Sequence, residues 1–185
     1  MSVKKAKEKK IKKLEVQPSG KRIYKNLGYT GMETLSIISS LNTLISNYHV
    51  HYQKMRNFHW NVKGNDFFEL HEIFEELYDM AKLNIDELAE RVRVFGQTPV
   101  STLKEYLEAS EIKEVGTDLS GEMMVKETLH DFETLLSMMV DVADAAIEIG
   151  DVGTEDMINT YIKNLEKRHW MFTAWLNEAI TSKNN

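Results

Sequence analysis

Residues 56–92 read RNFHWNVKGNDFFELHEIFEELYDMAKLNIDELAERV. From Phe67 onward apolar side chains recur at helical spacing, through Leu70, Phe74, Tyr78, Ala81, Ile85, Leu88 and Val92. With His71 as origin and about 100° per residue, they centre on a stripe at about −60°. A polar set lies beside it. On the same wheel Glu75 falls at about 40°, Asp86 at about 60° and Glu90 at about 100°. One imidazole and three carboxylates therefore share a stripe that flanks the core face. Both are ligand types that iron accepts.

Helical rise separates these ligands into two groups. His71/Glu75 and Asp86/Glu90 are each one turn apart, and 15 residues separate the two pairs, roughly 22 Å along the axis. Paired metals sit only about 3.5–4 Å apart, so a single helix cannot bring both pairs to one site. Two antiparallel copies across a twofold axis can do so, with His71/Glu75 of one chain meeting the carboxylate pair of the other, twice by symmetry. His59 stands a few residues before the turn 61–65, at the height His71 occupies after it, and can complete the half-site. The pattern also fits a solvated charged flank, because Glu72, Asp79 and Lys82 share the stripe. At an interface Lys82 could pair with an acid of the other chain.

Outward from this hairpin the chain reads as helix throughout. Thr30 and Glu33 make a capping box for a first helix over about 31–62, with Leu35, Ile38, Leu41, Ile45 and Tyr48 in register. Asp66 and Glu69 can cap the second, which runs to about Phe95, where Gly96 and Pro99 end it. Thr102–Ala109 is a short amphipathic piece inside a long connection. A third helix spans about 120–149 and stops at Gly150, and Thr154 can cap a fourth running to about 181. The fold class is all-α: a four-helix bundle with a short helix in the long connection between helices 2 and 3.

Composition narrows the function classes. At 185 residues and 42% hydrophobic the chain can bury one sizeable core. It has no cysteine, which removes disulfides, zinc–thiolate sites and thiol catalysis and fits a reducing cytoplasm. No apolar run approaches a membrane span, and the basic N-terminus lacks the apolar stretch of a secretory signal. The net charge of −6 hides an asymmetry. Residues 1–26 hold ten Lys/Arg and two Glu, and the rest carries the acid excess. The chain divides into a flexible basic arm, 1–28, and a bundle domain, 29–182. Lys4, Lys5, Lys7, Lys9, Lys10, Lys12 and Lys13 can bind phosphate without reading sequence, and many arms on one oligomer would gain by avidity. A solvated terminus is the alternative.

The stretch 56–92 closely resembles the signature of the Dps family, the mini-ferritins. The resemblance continues through GQTPVSTLKEYLEAS at 96–110 and GTEDMI at 153–158 to LEKRHWMFTAWL at 165–176, and covers roughly residues 30–180. It implies a ferritin-like bundle assembled as a dodecameric, cytoplasmic shell, nucleoid-associated if the arms bind DNA. Iron-oxidising centres are expected between subunits. The family's two histidines match His59 and His71, and its Asp-x-x-x-Glu pair matches Asp86 and Glu90. Glu75 stands where the family usually has aspartate, one methylene shorter. The tryptophan beside the first histidine matches Trp60, which either packs beside the centre and takes up oxidising equivalents or is core. The expected substrates are Fe(II) and hydrogen peroxide, with dioxygen as a slower alternative oxidant, the product a stored Fe(III) mineral, and the outcome protection of DNA.

Other features compete. Glu166-x-x-His169 has the spacing of intrachain di-iron centres, but a second Glu-x-x-His is missing, and the pair reads as structural. A DNA-compacting protein and an intrachain, bacterioferritin-like oxidase remain as alternatives. His49, His51 and His130 have no ligand partner at useful spacing and read as satisfied by local contacts. Glu148, Asp151 and Asp156 lie where similar proteins form threefold pores that admit iron; as surface acids they need no such role. No methionine marks a haem ligand; Met123, Met124, Met138, Met139, Met157 and Met171 read as core filler.

Overall fold

The computed structural model describes residues 25–183. Five α-helices follow a short 3₁₀ turn, Lys25–Gly28: α1 Leu35–Asn61, α2 Phe67–Val94, α3 Leu103–Ala109, α4 Gly121–Ile149 and α5 Val152–Lys183. Strands are absent among the described residues. Helices α1, α2, α4 and α5 form the bundle, and α3 lies in the connection from α2 to α4, packed on α1. The lysines at 4, 5, 7, 9, 10, 12 and 13 fall outside the described residues. Residues 25–28, expected within the arm, form the 3₁₀ turn, and Tyr29 beyond it stacks edge-on against Phe95 with centroids 5.5 Å apart.

Local chemistry explains most boundaries. The Thr30/Glu33 capping box forms, but it closes the turn 31–34, and regular helix begins only at Leu35. Asp66 makes no side-chain cap bond. Its φ/ψ of −92°/18° is not the extended conformation an N-cap needs, so its carboxylate does not reach the N–H groups of the first turn. Thr102 and Glu105 supply an unexpected capping box for α3, which holds the Glu105 carboxyl below its usual range. The start of α5 corrects another expectation. Asp151, rather than Thr154, is the capping residue: its Oδ1 accepts from the Thr154 backbone N–H at 3.3 Å, and the Thr154 hydroxyl bonds back to it. Gly150 ends α4 in the left-handed region at φ 65°, and the Asp151 N–H reaches the Ala146 carbonyl at 2.8 Å.

The core runs the length of the bundle, with Phe58, Phe74 and Phe132 fully buried. On α2 the buried residues are Leu70, Phe74, Leu77, Ala81, Asn84, Leu88 and Val92. The expected Tyr78 and Ile85 pack partly buried against the core, but Leu77 and Asn84 are buried deeper, so the fully buried stripe is turned roughly 30° further from the candidate-ligand face. Asn84 is admitted because its amide donates to the Tyr48 hydroxyl at 3.0 Å. Of the methionines read as core filler, Met124, Met138 and Met139 are buried, whereas Met123 and Met171 are exposed.

One ionic cluster crosses the core between α1 and α4. Asp131, fully buried, accepts from Lys54 Nζ at 2.7 Å and from His51 Nδ1 at 3.0 Å, while Glu127 stands 3.7 Å from the same ammonium. His51 is thus satisfied locally. His49 stacks on Tyr106 at 3.8 Å, joining α1 to α3, and burial lowers its imidazole below the ordinary value. His130 is exposed. A buried pair broken on one side leaves an uncompensated charge. Asp131→Ala is therefore expected to destabilise the protein by roughly 3–5 kcal/mol, and Asp131→Asn by less, because one acceptor remains. Urea unfolding of the two variants checks this.

Candidate metal centre

The α1–α2 hairpin brings three candidate ligands together at one end of the bundle. Its turn is short: Val62 N–H closes α1 on the Phe58 carbonyl at 2.8 Å, and Gly64 takes φ 113°, which a side chain would strain. This brings the last turn of α1 against the first turns of α2. The two histidines stack there, ring centroids 3.8 Å apart and planes within 20°. Phe67 extends the stack over His71, and Tyr78 meets His59 edge-on.

Their hydrogen bonds are reciprocal. His59 Nδ1 lies 2.8 Å from the His71 carbonyl, and His71 Nδ1 lies 2.8 Å from the His59 carbonyl. A carbonyl only accepts, so each Nδ1 carries its proton. In the neutral ring that leaves the Nε2 lone pair free on both. Backbone carbonyls thus fix tautomer and ring orientation, as the outer partners of metal-binding histidines do. Glu75 adds a carboxylate one turn further on. His59, His71 and Glu75 each offer a ligand atom within 4.8 Å of the others, and they form the one such cluster among the described residues. His59 is nearly buried, His71 half-buried and Glu75 exposed.

Asp86 and Glu90 are not part of this cluster. They stand exposed on the same face of α2, toward its other end. Asp86 lines an open groove with Lys82 on one side and Val100, Ser101 and Tyr106 on the other. The turn carrying Glu90 is anchored by its neighbour: Arg91 pairs with Asp151, and its Nε donates to Thr154 Oγ1 at 2.7 Å, tying the end of α2 to the start of α5. Glu87 turns the other way and accepts from the Tyr161 hydroxyl; burial first, then this carboxylate, raise that phenol so far that it remains a donor.

The remaining sequence candidates sort cleanly. Asp151 is buried in its pair with Arg91 and does not face water, which removes it from the acids proposed to line a pore; Glu148 and Asp156 are exposed. Trp60 is 56% exposed with Arg56 over its ring at 4.7 Å, so it is not core in the single chain. Glu166 is exposed, and His169 approaches Glu133 at 3.6 Å on the bundle surface. Neither joins a cluster of metal ligands. Sequence reading missed the carbonyl partners of the histidines, because a main-chain acceptor leaves no mark in residue identity. It also missed Arg91, whose partner is 60 positions away.

Comparison with known proteins bears on this geometry. The sequence model of the ferritin-like domain matches residues 38–180. The DNA protection during starvation protein 2 of Bacillus anthracis is 41% identical over 142 residues, covering 77% of this chain and 97% of that protein. This chain belongs to the Dps family of ferritin-like proteins. Among solved structures, Dps of Bacillus brevis superposes with a TM-score of 0.76 at 42% identity, covering 80% of this chain and 99% of that one. Dps of Vibrio cholerae O1, described as a member of a broad superfamily of ferritin-like diiron-carboxylate proteins, also gives 0.76, at 39% identity over 78% of this chain and 91% of that chain. No described helix is long and apolar enough to cross a membrane.

The half-site predicts a metal-binding phenotype that separates it from the α5 pair. His71→Ala should weaken binding of Co(II), used as a probe, by at least about tenfold, whereas His169→Ala should leave it unchanged. Anaerobic calorimetric titration of both variants reads the difference.

Proposed function

We propose that the protein oxidises Fe(II) with hydrogen peroxide at centres shared between subunits and stores the Fe(III) product inside a dodecameric shell, acting in the cytoplasm to protect DNA. His59, His71 and Glu75 of one chain with Asp86 and Glu90 of another make the proposed centre. The observation that carries this reading is the reciprocal histidine pair. Two imidazoles and a carboxylate offer ligand atoms within 4.8 Å of one another, and the carboxylates able to complete the donor set stand far along the same helix. An imidazole and carboxylate set accepts Fe(II), and the carboxylates favour the harder Fe(III). Membership of the Dps family supports the same reading.

The electron balance favours a paired site. Two Fe(II) ions give up one electron each. Peroxide takes both, its O–O bond breaks, and with two protons it leaves as two waters, so no hydroxyl radical is released. The chain's part is to hold the substrate ions, fix the imidazole tautomers and keep the carboxylates near. Exposed Glu148 and Asp156 are candidates for drawing cations toward pores of the shell. The intrachain, bacterioferritin-like alternative loses support because Glu166 points to solvent and joins no ligand cluster.

Purified protein is expected to accelerate Fe(II) oxidation by peroxide at two irons per peroxide and to run as an assembly of about twelve chains by light scattering. Asp86→Ala with Glu90→Ala should return the rate nearly to that of iron and peroxide alone. An unchanged rate would overturn the shared centre.

A second activity rests on the ten Lys/Arg among residues 1–26. Arms of this charge on one shell would compact DNA through phosphate contacts, against the repulsion of an acidic body. Deletion of residues 1–26 should abolish DNA retardation at low salt while leaving iron oxidation intact, as gel shift and oxidation assays on the same preparation would show.

A further inference from the structure

Between the two ligand pairs of α2 stand Asp79 and Lys82, both exposed on the ligand face. They are three residues apart, a spacing at which an aspartate and a lysine on one helix can pair. Here they do not: neither forms an ion pair within the chain, among the described residues. Beside them Leu83 is 66% exposed. On the helical wheel Asp79 at about 80° and Lys82 at about 20° straddle the centre of the ligand stripe.

Helix register gives these residues a partner. Where two copies of α2 cross antiparallel on a twofold axis, the numbers of facing residues have a constant sum. Glu75 facing the partner's Asp86 and His71 facing the partner's Glu90 satisfy one and the same register. That register sets Asp79 against the partner's Lys82 and, by symmetry, Lys82 against the partner's Asp79. At the 8–10 Å separation usual for packed helices, about the reach of these side chains, the charges can meet.

We propose that Asp79 and Lys82 are positioning residues: they form two symmetry-related ion pairs at the twofold axis and set the register in which each half-site receives its completing carboxylates. This rests on the shared centre proposed above. The alternatives one turn away are disfavoured by charge. A slip in one direction sets Asp79 against the partner's Asp86 and Glu75 against the partner's Glu90, acid against acid. The other direction sets Lys82 against the partner's Glu75, which draws off a ligand, and leaves Asp79 without a cation.

The test is complementation between chains. Asp79→Lys leaves only lysines at the axis, and Lys82→Asp leaves only acids. Each variant alone should associate at least about tenfold more weakly than the parent in dilution sedimentation, with helicity unchanged by circular dichroism. Co-expressed with different tags, the two chains should copurify, regain the parent mass and recover Co(II) binding, because every Asp79→Lys chain meets a Lys82→Asp partner with both pairs restored. A pair within one chain could not be repaired by mixing. Single variants that associate like the parent, or a mixture that fails to recover, would overturn the register. If Asp86→Asn with Glu90→Gln left iron oxidation untouched, the shared centre would fall and this inference with it. A parent that depends on Asp86 and Glu90 but whose complementing mixture does not recover would lose only the register.

Discussion

The exchange of hydrogen bonds between His59 and His71 ties the end of α1 to the start of α2 through main-chain carbonyls on both sides. The site depends on it in two ways. It locks the depth at which the two helices meet, since a shift along either axis would break both bonds together. It also assigns the protons: an Nδ1 held to a carbonyl leaves Nε2 as the free donor. Aromatic packing from Phe67 and Tyr78 closes the remaining freedom of the rings. A metal arriving at such a pair finds its ligands already ordered and need not supply the energy to arrange them.

The rest of the bundle holds α2 rigid between its two functional ends. At the far end Arg91 reaches Asp151 and Thr154, so the cap of α5 and the turn bearing Glu90 form one unit. Midway, Asn84 on Tyr48 and Glu87 on Tyr161 fix the rotation of α2 about its axis. Buried side-chain polar atoms without a partner are absent among the described residues. The Asp131 cluster with Lys54 and His51 ties α1 to α4 across the core. Rotation matters for function: turning α2 inward at Leu77 and Asn84 carries Glu75, Asp79, Asp86 and Glu90 fully to the surface.

Where sequence reading erred, a local rule met a tertiary override. Thr154 has the side chain of a capping residue, yet Asp151 takes the position because Arg91 arrives from α2 to share its carboxylate. Asp66 has the right identity, but the tight hairpin at Gly64 denies it the extended backbone. Tyr78 and Ile85 fit the helical period and pack against the core, but the neighbouring helices bury Leu77 and Asn84 deeper, a few tens of degrees away. Trp60 and Met123 look like core residues by type and lie on the surface of the single chain.

The sequence by itself determined the helices, their order, the family and the two one-turn spacings His71/Glu75 and Asp86/Glu90, because amphipathic period, glycine stops and one-turn spacings are local properties of the chain. Helical rise alone also separates His71 and Glu75 from Asp86 and Glu90 along that helix. Only the tertiary structure decided that His59 joins His71 and Glu75, that both imidazoles present Nε2, that Asp151 serves a buried ion pair, and that Glu166 and His169 stand apart from metal ligands. These outcomes rest on backbone acceptors and on partners tens of positions away, which chain folding brings together and residue spacing does not encode.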